Sequence, residues 1–116
     1  MNDIATCDYG IEIPEPEKVE WLQKAVDDGD TFALCNLGVR YQLGKGVEKN
    51  EKMAMQLLRK SAKLNEPSAY YALYICYING RGVRKNRQLA LKYLRKSAEL
   101  GYPKARKVLK KLESGK

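Results

Sequence analysis

Ala33, Leu37 and Tyr41 fall four residues apart, the spacing of a helical stripe and not of a strand, where every second residue would be apolar. Ala69, Leu73 and Tyr77 repeat that stripe further along the chain. A second kind of segment carries Ala54, Leu57, Leu58 and Ala62, echoed by Ala90, Tyr93, Leu94 and Ala98, with a partial earlier copy at Trp21, Leu22 and Ala25. The pattern predicts helices over about 17–28, 31–43, 50–64, 67–79, 86–100 and 103–113. Residues 1–16 are expected to form a separate, non-helical acidic segment, because Pro14 and Pro16 hold the residues before them in extended backbone.

The two kinds of segment alternate with a period of 36 residues. Gly44-Lys45-Gly46-Val47 returns as Gly80-Arg81-Gly82-Val83, and Arg59-Lys60-Ser61-Ala62 as Arg95-Lys96-Ser97-Ala98. Asn50 falls on Asn86 and Pro67 on Pro103 in the same register. The punctuation agrees with the stripes. Gly29, Asn65 and Gly101 follow the second type of helix, where a left-handed residue ends a helix well. Pro67 and Pro103 then open the next helix, where a missing N–H costs little, and Asp30, Asn50 and Asn86 are placed to cap helix starts. A single helix pair cannot bury its stripe, whereas stacked pairs can. The predicted fold is therefore an all-α solenoid of antiparallel helix pairs, with about six helices in residues 17–116.

The run Ala33, Leu37, Gly38, Tyr41, Gly44, Gly46, Val47, Asn50, Ala54 resembles the Sel-one-like repeat, a relative of the tetratricopeptide repeats. The resemblance covers about two and a half units and implies a right-handed superhelix that acts as an adaptor or scaffold in protein complexes, with enzymatic activity unusual. Some secreted members carry a disulfide in every repeat. Here Cys35 falls on Tyr71, and Cys76 on Arg40, so that subtype is not expected. One position departs from the pattern: Gly38, which the family uses for close approach of paired helices, becomes Tyr74 and then Lys110. A ring at Tyr74 must push the pair apart, repack locally or join a binding surface.

Composition narrows the chemistry. The 116 residues suit one domain, and 44% apolar with 31% charged residues suits a globular chain. Histidine is absent, which removes the commonest general base and metal ligand. Cys7, Cys35 and Cys76 are far apart and lack the paired spacing of a zinc site or a base for a nucleophile. Cys35 and Cys76 read as core filling and Cys7 as an exposed thiol. The two Gly-x-Gly turns lack the preceding strand and Lys-Ser/Thr pair of a phosphate loop. No catalytic, cofactor or metal site is expected. Three cysteines in no framework, no long apolar run and no secretory leader at Met1–Thr6 together predict a cytoplasmic chain outside the membrane.

The net charge of +8 is unevenly placed. Residues 1–30 carry nine acids against Lys18 and Lys24, while residues 31–116 carry 20 Lys and Arg against five acids. A basic region of that kind solvates helix faces or meets an anionic partner.

In tetratricopeptide-like stacks the first helix of each pair lines the concave side. The resemblance then places Phe32, Cys35, Val39, Gln42 and Leu43 there, followed by Ser68, Tyr71, Ile75, Ile78 and Asn79, and by Lys104, Lys107 and Lys111. Apolar residues on a face expected to meet water mark an interface. The predicted contact set is Phe32, Val39, Tyr71, Tyr74, Ile75 and Ile78, with Arg40, Lys104, Lys107 and Lys111 supplying charge. The expected function is non-catalytic binding of a protein or peptide, one bearing acids being the best match. Residues 1–16 or a second copy of the chain are competing occupants of the same trough. The alternative function is binding of nucleic acid or another polyanion through the basic two thirds of the chain.

Overall fold

The computed structural model describes residues 4–6, 12–14 and 19–115. Among the described residues, six helices follow a short antiparallel pair of strands. Strand β1 (Ile4–Thr6) pairs antiparallel with β2 (Glu12–Pro14), Ala5 opposite Ile13. The helices are α1 (Val19–Asp27), α2 (Thr31–Leu43), α3 (Glu51–Lys63), α4 (Pro67–Asn79), α5 (Arg87–Glu99) and α6 (Pro103–Ser114). Each helix packs on the next in sequence, and α2 also reaches α4. That neighbour-to-neighbour stacking is the all-α solenoid the 36-residue period predicted.

The helix ends use the residues the sequence offered. Asp30 Oδ1 accepts from the N–H of Ala33 at 2.9 Å, Asn50 Oδ1 from Met53 at 3.0 Å and Asn86 Oδ1 from Leu89 at 3.0 Å. A fourth cap was not foreseen: Glu66 Oε2 accepts from the Ser68 N–H at 3.4 Å and from its hydroxyl at 2.7 Å, while its Oε1 accepts from Thr31 Oγ1 at 2.7 Å. Asn65 is left-handed at φ 63°, between Gly29 at 93° and Gly101 at 91°. Asparagine is the side chain that tolerates that conformation best, which explains its place among the glycines.

The repeat extends to individual hydrogen bonds. Fully buried Ser61 donates its hydroxyl to the carbonyl of Thr31 at 2.8 Å. One period later, fully buried Ser97 donates to the carbonyl of Pro67 at the same distance. Each serine ties the second helix of a pair to the start of the first. At the far end of each pair, the N–H of Asn50 donates to Tyr41 O, and that of Asn86 to Tyr77 O.

Two clusters form the core. The larger runs from α2 to α6 through Leu58, Leu73, Cys76 and Leu94, and the smaller joins Leu22 of α1 to Ala33 and Leu37. Gly38 lies where α2 and α3 meet: a Cβ there would come within 3.0 Å of Leu58 Cδ2 and 3.3 Å of the Ala54 carbonyl. Its counterpart Tyr74 does not open the next pair. Ala90 and Leu94 across from it are fully buried, and its half-buried ring sits 5.7 Å from that of Tyr71.

Candidate protein-binding face

Burial along the first helices of the pairs is graded. In α2 every residue from Ala33 to Arg40 is buried. In α4, Tyr71 is buried but Tyr74, Ile75 and Ile78 are half-exposed. In α6, Lys104 is half-buried, and Lys107 and Lys111 stand in solvent. Positions one period apart thus change from closed to open along the stack: Val39, then Ile75, then Lys111.

Three residues of the predicted contact set are buried, as are Cys35, Gln42 and Ser68 of the wider concave set. Val39 is fully buried within the larger core cluster. Arg40 is 1% exposed, its Nε donating to Asn36 Oδ1 at 3.1 Å and its Nη1 reaching the Lys45 carbonyl at 3.4 Å. A guanidinium so held spans the helix end and is no surface cation. Tyr71 is 7% exposed because Tyr102, from the turn before α6, lays its ring 5.4 Å away on one side while Tyr74 packs on the other. Its polar tip and few rotamers do not keep it at the surface once two rings flank it.

Phe32 remains 40% exposed at the start of α2. The accessible members of the expected set are therefore Phe32 at one end, Tyr74, Ile75 and Ile78 in the middle, and Lys104, Lys107 and Lys111 at the other. Cys35 and Cys76 are buried, as core filling requires. Cys7 lies outside the described residues, as does most of the 1–16 segment, and with it the expectation that this segment fills the trough.

A second group of aromatics, Tyr77 and Tyr93 of the stripes with Tyr70 beside them, was not among the expected contact residues. Tyr93 of α5 stacks on Tyr77 with ring centres 5.7 Å apart and meets Tyr70 at 6.0 Å. Arg59 Nη2 donates to Tyr77 Oη at 3.0 Å. Burial first, and then the neighbouring Tyr77, raise the Tyr93 hydroxyl above the ordinary tyrosine range, while Arg59 pulls it down. In the preceding unit the positions of Tyr70 and Tyr93 hold Leu34 and Leu57. That exchange of leucine for tyrosine within the repeat register was the available signal.

None of the described helices is long and apolar enough to cross a membrane. Among the described residues, no group of three or more Cys, Asp or Glu is placed to hold a metal ion.

The Sel1 repeat family matches residues 19–30, 31–66 and 67–102, the same 36-residue register read from the stripes. Among solved structures, a Sel1 repeat protein from Oxalobacter formigenes is 34% identical with a TM-score of 0.70, over 75% of this chain and 36% of that one. A protective antigen of uropathogenic Escherichia coli with an SLR fold is 31% identical with a TM-score of 0.71, over 77% of this chain and 19% of its own length. Helicobacter pylori cysteine rich protein B is 30% identical with a TM-score of 0.69, over 78% of this chain and 68% of that one. The chain thus spans about a third of the first of these structures and a fifth of the second. No curated protein matches it. With 36-residue helix pairs, shared hydrogen bonds in each unit and family matches over most of its length, the chain belongs to the Sel1 repeat family.

Proposed function

We propose that the chain is a non-catalytic protein-interaction module that binds through the open half of its inner face, on α4 and α6. The gradient of exposure along equivalent positions carries the reading. Ile75 and Ile78 keep apolar surface in solvent, and Lys111, with Lys107 one turn before it, stands one period on from Ile75. A protein segment that combines apolar and acidic side chains matches that arrangement, since the apolar part supplies affinity and the charges supply orientation and rate. The buried Tyr71 ring, flanked by the half-buried rings of Tyr74 and Tyr102, underlies that surface. Cysteines without paired spacing favour a reducing, cytoplasmic setting.

The test uses peptides selected on the whole chain, then measured against Lys107→Glu/Lys111→Glu. We expect binders rich in acids and apolar residues whose Kd weakens about tenfold or more in the double variant, with an unchanged melting temperature. Selected peptides that bind both proteins equally would contradict the reading. If nucleic acid is the partner, a single-stranded oligonucleotide will bind instead, with affinity falling steeply as salt is raised.

A further inference from the structure

On a different side of α4 from Ile75 and Ile78, a cleft of about 520 Å³ opens between Tyr70 and the exposed side of α5. Its apolar part consists of the half-buried Leu89, Tyr70 and Tyr93. Its rim consists of three exposed cations, Lys92, Arg95 and Lys96, against a single acid, Glu99. The tyrosines are held in place from behind, Tyr93 by its stack on Tyr77, and Tyr77 by the hydrogen bond from Arg59. An aromatic wall fixed in this way loses little freedom when a ligand settles on it.

The departure from the repeat adds a separate observation. A helix pair closes with Leu34 and Leu57 at these positions in the preceding unit, so packing alone does not call for Tyr70 and Tyr93. Tyrosine adds to leucine a planar face and a hydroxyl, both suited to a surface that must bind as well as pack. In the same register Gln56 becomes Lys92, while Lys60 stays a cation as Lys96. Arg59 stays a cation as Arg95, and Lys63 becomes Glu99, so the three cations of the rim are kept but redistributed toward the rings.

The geometry points to a second docking site on this outer cleft, for an acidic segment of a partner protein. Carboxylates of that segment meet Lys92, Arg95 and Lys96, and an apolar side chain covers Leu89, Tyr70 and Tyr93. The site is centred on α5, and none of its residues belongs to the surface proposed on α4 and α6.

A fluorescein-labelled heptapeptide of alternating glutamate and leucine, titrated by anisotropy onto the whole chain, tests the assignment. We expect Lys92→Gln/Lys96→Gln to weaken binding about tenfold. Tyr93→Leu, which installs the residue the preceding unit already uses, should weaken it several-fold while a melting curve shows the fold retained. Binding unchanged in both cleft variants but lost in Lys107→Glu/Lys111→Glu would overturn this site and leave the inner face standing. No binding to the wild-type chain would overturn it as well. So would a twelve-nucleotide poly(dT) that binds more tightly than the peptide and is lost in the same cleft variants.

Discussion

Tyr71 and Tyr93 belong to the same abundant residue type but sit in different tyrosine clusters, and each cluster has its own consequence. Tyr71 is flanked by Tyr74 and Tyr102 and almost wholly buried. Tyr71→Ala removes a large buried ring from a packed site and should cost about 3 kcal/mol in urea unfolding. A loss below about 1 kcal/mol would place Tyr71 at the surface after all. Tyr93 is tested by pH. Its hydroxyl keeps its proton to higher pH in the folded chain than in the unfolded one, where the pKa is about 10. The stability this difference carries is fully present below about pH 10 and is lost as pH rises through the folded value. Tyr93→Phe removes the group, so the fall of the urea midpoint above about pH 10 should be shallower in the variant. Equal slopes would contradict it.

At the level of elements, the sequence stripes placed the helices to within about two residues of their ends. The predicted starts at 50 and 86 moved inward by one because Asn50 and Asn86 serve as caps, half in and half out of the helix. Period-four stripes, capping side chains and left-handed turn residues are local signals, and local signals survive without knowledge of the fold. The Ser61 and Ser97 clips were visible only as a repeated Arg-Lys-Ser-Ala string, because their acceptors lie 30 residues away. Each variant, Ser61→Ala and Ser97→Ala, leaves a backbone carbonyl without its donor and should cost about 1–2 kcal/mol. The two losses should be similar, since the bonds are one period apart and of equal length. A serine whose removal costs nothing measurable would show that its clip does not hold the pair.

Across the whole molecule, the sequence pointed to positions on α2, α4 and α6 but not to how much of each stays open. Helical spacing tells which side of an isolated pair faces outward, and it is blind to what a later turn lays over that side. Tyr102 closing on Tyr71 is such a case, and the burial of Val39 and Arg40 within a fully packed α2 is another. Lys107 and Lys111 of α6 were legible because their charge keeps them in solvent. Phe32, Ile75 and Ile78 stay accessible, so the proposed binding surface is shorter than the stripe suggested and shifted toward α4 and α6.

The most direct test of that surface is amide chemical-shift mapping of the labelled chain with a bound acidic, apolar peptide. The account predicts the largest shifts at Ile75, Ile78, Lys107 and Lys111, with little change at Cys35 and Val39 in the closed part of α2. Shifts spread evenly over all six helices, or absent from α4 and α6, would contradict it.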